Sequence, residues 1–487
     1  MRIRAQSTKP VQLLPKVKVQ SGKLEKFPCD LLAMKWVQGQ KMDGSTGAVD
    51  RVLRGALGKL IKEQGFQGKE GETLVFHTLG KMAAKKVLLL GLGKQKNVTV
   101  DCARRAAARI VKEARRCHAK KVGLIFIGTG TAGFDPFIAA KAITEGALLG
   151  AYTYHKYKSA EARQEMAFPA ELVIVTSGVH EAAAHNPSSP TPPNLPSGRG
   201  GKLGGEVLKI RETERGIKEG EIYAQATIFA RELVNEPASN MTPKHLAEAA
   251  RQIVKEANGV TSNSPQPPLK LRGGAGGVMS VTILNRAQCE KLGMGAYLGV
   301  ARGSDHEPYF IHLVYRPSEG GKSGKGDRGG KGLKKIAIVG KGITFDSGGM
   351  SLKPAGAMET MKNDMSGCAA MLGVFFALAR LKPNVEVHGI SAVCENMPSG
   401  RAQKPGDIVR TMSGKTIEVL NTDAEGRLTL ADALTYAVQK VKPDAIVDLA
   451  TLTGACIVAL GEEVAAYMGN DRALLERVIA AAEKSGE

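Results

Sequence analysis

In the stretch NTDAEGRLTLADAL, Asn421 to Leu434, the residues Asp423, Glu425 and Arg427 take alternate positions ahead of an apolar run. In an extended segment residues i, i+2 and i+4 share a face, so this spacing predicts two carboxylates and a guanidinium side by side against a core. Such charges are costly to bury unless something pairs them. Either the stretch is a solvated edge strand, or a cation completes it. Upstream, Lys341 and Asp346 follow the apolar run IAIVG, Lys353 lies in the next loop, and Asp364 directly precedes a helical stretch. Taken singly, Asp364 reads as a helix N-cap, Lys341 as a surface lysine and Asp423-x-Glu425 as a solvated edge. Together these groups can supply oxygen ligands for two divalent cations, which about 3.5–4 Å apart would clamp and activate a water.

The elements that must position these groups are those of an α/β protein. From about Gly216 onward, strand-like runs alternate with helical patterns: KKIAIVGKGITFDSGG (Lys334–Gly349) is a buried strand entering a Gly-rich loop, Met365–Leu381 a helix, and Val385–Asn396 and Asp444–Gly454 strands. Thr242 and Pro243 have the types of an N-cap and first residue of another helix. This alternation predicts a mostly parallel, doubly wound sheet with sites at its carboxyl strand ends, where the charged residues fall. Residues 1–200 predict a separate α/β unit, with strands in Lys85–Gly93, Lys121–Gly130 and Glu171–Gly178 alternating with Ala-rich helical patterns. Three Pro/Gly-rich stretches, Asn186–Gly205, Asn263–Gly277 and Pro317–Gly332, are expected as surface insertions, the first also as the linker (about 186–205) between an N-terminal domain 1–200 and a catalytic domain 206–487.

Composition narrows the classes. With 487 residues, 43% hydrophobic and 24% charged, the chain has the make-up of a multi-domain globular protein. No uninterrupted apolar run approaches the roughly 18 residues of a membrane span, and the N-terminus lacks the apolar core of a signal peptide, which predicts a cytoplasmic protein without a membrane partner. Seven scattered cysteines without CxxC suit a reducing compartment. The nine histidines form no HExxH, so carboxylates must carry any metal. GTGTAG (Gly128–Gly133) has the form of a dinucleotide loop, but the next strand ends VTSG without the required acid. TMSGKT (Thr411–Thr416) has Val409 where a phosphate loop needs Gly, and predicts a hairpin turn. The net charge of +21 is concentrated in Cys102–Lys121, a helical pattern with eight Lys/Arg against one Glu, readable as a solvated helix face or as a nucleic-acid-binding surface.

VGKGITFDSGGMSLKP, MKNDMSGCAA and NTDAEGRL, with 59 residues from Asp364 to Asp423, resemble the defining motifs of the leucyl (cytosol) aminopeptidase family. The resemblance covers roughly Gly216–Gly469 outside the insertions and extends weakly to VLLLGLG. It implies a macro-domain-like N-terminal α/β unit, a zinc-peptidase-type α/β/α catalytic domain, and a homohexamer with its active sites facing inward. It further implies that Asp346 and Glu425 bridge two metals, Mn²⁺ or Zn²⁺ with Mg²⁺ as an alternative. Lys341 and Asp364 would complete the tighter site and Asp423 the exchangeable one. A lysine ligates only as the neutral amine, and burial beside two cations is expected to lower the Lys341 pKa enough to permit this.

By the same resemblance Lys353 polarises the scissile carbonyl of a peptide bearing a free N-terminus. Arg427 holds a bicarbonate that relays the proton from the metal-bridging water. Met361, Thr451, Leu452 and Gly454 contact substrate, and the free α-amino group binds the exchangeable metal. The family continues for several tens of residues beyond the position matched by Glu487, so the resemblance implies a chain cut short there. Some family members also bind DNA, a second function class for which the basic helix is the sequence feature.

Overall fold

The computed structural model describes residues 14–129, 132–165, 168–176, 203–259, 277–317 and 334–487. The three Pro/Gly-rich stretches lie outside these residues except at their edges, as does part of GTGTAG. The described chain forms two compact units, residues up to 225 together with 478–487, and residues 226–477.

In the first unit six strands, β1 (Lys16–Ser21), β2 (Leu31–Trp36), β3 (Thr73–His77), β4 (Lys86–Gly91), β5 (Lys121–Leu124) and β6 (Glu171–Thr176), form one sheet in the order β1-β6-β5-β2-β4-β3. All neighbours are parallel except β3 against β4. Alternate strand residues feed opposite faces. Leu31, Ala33, Leu88 and Leu90 pack with Ala103, Ala107 and Ile143, whereas Leu32, Met34 and Leu89 pack with Val49, Leu53 and Leu57. Helices thus cover both faces, as the alternating pattern predicted.

The basic stretch is the helix Val100–Arg116, opened by Thr99, whose side chain accepts from Cys102 N. Its arginines are largely paired. Arg104 Nε meets Glu145 Oε2 at 2.6 Å, Arg105 meets Glu70 at 2.6 Å and also Asp101, and Glu113 takes Arg109 at 3.2 Å and Arg116 at 3.0 Å.

The second unit holds strands β7 (Val278–Leu284), β8 (Tyr309–Arg316), β9 (Lys335–Gly340), β10 (Gly342–Asp346), β11 (Glu386–Asn396) and β14 (Ala445–Leu449), with β12 (Asp407–Arg410) and β13 (Thr416–Val419) apart as a hairpin whose turn contains the SGK of TMSGKT. The sheet order is β14-β9-β11-β8-β7, with β10 also on β11. Pairing is parallel among β14, β9, β10 and β11 and antiparallel from β11 through β8 to β7. The helices Pro243–Ala257 and Ser366–Leu381 cover one face through Leu246, Ala250, Leu372 and Phe375, and Leu428, Leu430 and Ala433 of the helix Glu425–Tyr436 cover the other.

One expectation is corrected here. Lys334–Gly349 is two strands, because the backbone breaks at Lys341. Its N–H donates to Leu449 O at 2.9 Å while its carbonyl accepts from Cys368 N at 2.8 Å, which takes the residue out of the β11 ladder. The helical stretch Ala355–Leu381 has the length and hydropathy of a membrane span. It is interrupted between Met358 and Ser366, and Ser366–Leu381 is a buried core helix.

Candidate metal centre

The carboxyl ends of β9, β10, β11 and β14 converge on the site. The break after β9 leaves Lys341 buried, with Nζ donating to Asp364 Oδ1 at 2.7 Å, Glu425 Oε1 at 2.8 Å and the Thr451 carbonyl at 2.7 Å. A Cβ on Gly426 would stand 2.6 Å from Lys341 Cε, so the glycine makes room for the lysine. Gly367 does the same for the backbone, since a Cβ there would collide with the Leu449 carbonyl. Asp346 ends β10. Its Oδ2 meets Lys353 Nζ at 2.8 Å, and Lys353 also bonds Asp423. Asp346, Asp364 and Glu425 bring carboxylate oxygens within 4.8 Å of one another, all three buried.

These contacts decide between the readings of single residues. Asp364 is not the N-cap of the helix that follows: that position in Ser366–Leu381 is Met365, and Asp364 Oδ1 faces Lys341 and the Thr451 hydroxyl at 2.7 Å. Lys341, at 3% exposure, is not a surface lysine. The extended reading of NTDAEGRL is overturned. Asp423 sits in a turn and Glu425 begins the helix Glu425–Tyr436. At 100° per helical residue, Arg427 points away from Glu425, and it is exposed whereas Glu425 is buried.

Met361 lies half-buried on the 3₁₀ turn Met361–Asn363, and its carbonyl accepts from Asp364 N at 3.5 Å. Thr451 joins the cluster through hydroxyl and carbonyl. Leu452 is 47% exposed beside Gly426, and Gly454 is exposed. Two further residues were not anticipated. Asn396, at the end of β11, bonds Asp346, and Thr422 ties the NTDAEGRL turn to the loop after β10. The strand-end rule applied to β11 would have pointed to Asn396; Thr422 carried no signal.

The electrostatics are those of a site short of positive charge. Burial lowers the pKa of Lys341, but the charges of Asp364 and Glu425 outweigh it and hold the amine above its ordinary value. The expected lowering concerns a lysine beside two cations, whereas here its charged neighbours are carboxylates. Lys353 is raised likewise, by Asp346 and Asp423 against burial. Burial also pushes the Asp364 and Glu425 carboxyls up, against the pull of Lys341, and the charge of a neighbouring carboxylate adds to the push on each. Asp364 Oδ2 and Glu425 Oε2 are buried without a hydrogen-bond partner among the described residues. Lone buried carboxylate oxygens are expensive to maintain, and hard oxygen donors suit divalent cations. The residues present fit a metal.

The catalytic-domain model of the cytosol aminopeptidase family matches residues 228–487, and its N-terminal-domain model matches 33–161. A probable cytosol aminopeptidase of Alkaliphilus oremlandii is 39% identical over 473 residues, 97% of this chain and 82% of that protein. One from Cyanothece sp. is 41% identical over 461 residues, 94% and 80%. Among solved structures, a mutant tomato leucine aminopeptidase superposes with a TM-score of 0.75 at 33% identity, covering 97% of this chain and 81% of its own. The bottromycin maturation enzyme BotP, in complex with Mn, gives 0.69 at 30% identity, with 94% and 80% covered. The chain belongs to the cytosol aminopeptidase family of metal-dependent peptidases and is a peptide-bond hydrolase.

Proposed function

We propose that this peptidase is an aminopeptidase, releasing leucine and similar residues from the free N-terminus of peptides in the cytoplasm. It would act as a homohexamer with 1–200 as N-terminal domain and 206–487 as catalytic domain. Lys341, Asp346, Asp364, Asp423 and Glu425 would hold two divalent cations, Mn²⁺ or Zn²⁺, with Mg²⁺ possible by ligand type. The observation that carries this reading is the pair of buried, unpartnered oxygens, Asp364 Oδ2 and Glu425 Oε2. Such cations supply the Lewis acidity that lowers the pKa of an attacking water and an anchor for the substrate's α-amino group.

The chain's own groups do the rest. Lys353 now shares its ammonium between Asp346 and Asp423. From there the ammonium would donate to the scissile carbonyl and steady the oxyanion that develops there. With Asp346, Asp364, Asp423 and Glu425 committed to the cluster, another group would move the proton. Arg427, exposed on the first turn of the helix that Glu425 opens, would retain a small anion such as bicarbonate for that transfer. The test is hydrolysis of a leucyl chromogenic amide by the full chain, compared with its N-blocked counterpart. Activity restored by Mn²⁺ after chelation, on the free amine only, is expected. Chelator-resistant hydrolysis, or equal cleavage of the blocked substrate, would overturn the reading.

A further inference from the structure

Asp346 does not stand free at the end of its strand. Asn396, 4% exposed at the end of β11, donates from Nδ2 to Asp346 Oδ1 at 2.8 Å and to the Thr422 carbonyl at 3.1 Å. Its own backbone carbonyl accepts from Ser347 N at 3.1 Å and Ser347 Oγ at 2.8 Å. Thr422 answers from the other side, its hydroxyl donating to Gly348 O and its carbonyl accepting from Asn396, while Ser351 N donates to Thr422 Oγ1 at 2.8 Å. One buried amide therefore joins the end of β10, the end of β11 and the turn that carries Asp423.

From this geometry we infer that Asn396 is a positioning residue for the metal ligands, acting through Asp346 and through the NTDAEGRL turn. A carboxylate oxygen offers two in-plane lone pairs. Those of Asp346 Oδ1 are taken by Asn396 Nδ2 and by Gly348 N at 2.9 Å. Oδ2, the oxygen that meets Lys353, is left as the donor to a cation. The second amide hydrogen holds the Thr422 carbonyl, so the same side chain fixes Asp346 directly and the backbone beside Asp423. The inference rests on the metal reading above. It adds that Asn396, which is not among the proposed ligands, sets how tightly the site binds.

The test is Mn²⁺ titration of the full metal-stripped chain by calorimetry, without substrate, for the parent, Asn396→Ala and Asn396→Asp. Loss of an outer partner of a ligating carboxylate lowers metal affinity by roughly 10- to 100-fold. The aspartate variant replaces both donors with a charge facing Asp346 and should bind most weakly. Excess Mn²⁺ should restore kcat of the alanine variant without changing KM. An alanine variant whose thermal midpoint falls while its Mn²⁺ affinity stays within twofold of the parent would reduce Asn396 to a structural role and sink the inference alone. A parent chain that binds no Mn²⁺ would sink the metal reading and the inference together. Should the alanine variant fail to fold, Asn396→Ser keeps one donor; intermediate affinity supports the inference and parental affinity overturns it.

Discussion

Two buried ionic clusters in this chain look alike and differ in their balance. In the first unit, Arg104 faces Glu145 at 2.6 Å with side chains 12% and 10% exposed. In the second, Lys341 faces Asp364 and Glu425 at 2.7 and 2.8 Å, at 4%, 5% and 3%. The first is matched one for one; what it leaves over is a donor, Arg104 Nη1. The second sets Lys341 and Lys353 against Asp346, Asp364, Asp423 and Glu425, and what it leaves over are acceptors. A matched pair answers to the fold, because either charge alone would be stranded. A cluster with surplus buried carboxylates answers to something the chain does not itself supply.

The largest effect should come from removing one surplus charge. Asp364→Asn takes a carboxylate from the proposed ligand set, and activity on a leucyl amide should fall by about 10³-fold or more, several kcal/mol of transition-state stabilisation. The metal-free chain should lose no stability, since Lys341 keeps Glu425 and Thr451 and one strained charge is gone. Calorimetric unfolding of the stripped protein checks this. A marked drop in its midpoint would mean that the cluster is a structural ion pair after all. Glu145→Gln should do the opposite, costing about 3 kcal/mol in urea unfolding because a mostly buried guanidinium loses its counterion. Turnover per folded molecule should not change. If both variants behave alike, charge balance does not separate the two clusters.

Sequence showed which residues gather but not how the backbone delivers them. Lys341, Asp346, Asp364 and Glu425 were legible because strand ends in a parallel sheet are where ligands meet, and that rule needs only the order of elements. The alternation of Asp423, Glu425 and Arg427 misled, because a two-residue period identifies a strand only where the chain is extended; here a turn and a helix start place acids two apart by another route. The break at Lys341 depends on Leu449 and Cys368, remote in sequence, and was invisible locally. The same holds for Arg104 and Glu145, 41 residues apart. A charged helix read without its tertiary partners looked like a free basic face.

A third buried cluster sharpens the comparison, because its two histidines are held neutral. His388 Nε2 lies 2.9 Å from Glu386 Oε1 and so carries the proton; its Nδ1 then accepts from His312 Nε2 at 2.9 Å, and His312 Nδ1 accepts from the Tyr436 hydroxyl at 3.2 Å. Arg316 Nε bonds the same Glu386 oxygen at 3.2 Å. A proton on His312 would have to reverse the bond from the Tyr436 hydroxyl. Burial, then His388 and Arg316, bring the His312 pKa down to about 4; His388 is lowered by burial despite Glu386. An unfolded histidine titrates near 6.5, so below that value the unfolded chain binds protons that the native chain refuses. Stability from this source is complete above about 6.5 and drains as pH falls toward 4, by about 2 kcal/mol at pH 5. Urea unfolding at pH 7 and pH 5 should show a smaller drop for His312→Asn than for the parent. An equal drop in both would show that acid acts elsewhere.

The smallest effect is expected at the basic helix, which the sequence left open between a solvated face and a nucleic-acid-binding surface. For the helix Val100–Arg116 to bind nucleic acid, its arginines must exchange carboxylates for phosphates. Arg104, Arg105, Arg109 and Arg116 already sit on Glu145, Glu70 with Asp101, and Glu113, and Arg115 lies over the Phe168 ring at 5.2 Å. Such an exchange trades one ion pair for another. The gain is largely the release of counterions from the phosphates, diminished by the carboxylates left behind. Duplex DNA should therefore bind no better than about 10⁻⁶ M at physiological salt, the upper end of non-specific affinity. Arg105→Ala, Arg116→Ala and the parent should be indistinguishable in fluorescence anisotropy across a salt series. Submicromolar binding whose salt slope falls in these variants would mean that the carboxylates release their partners readily. The matched clusters of the first unit would then be as open to an outside charge as the unmatched cluster of the second.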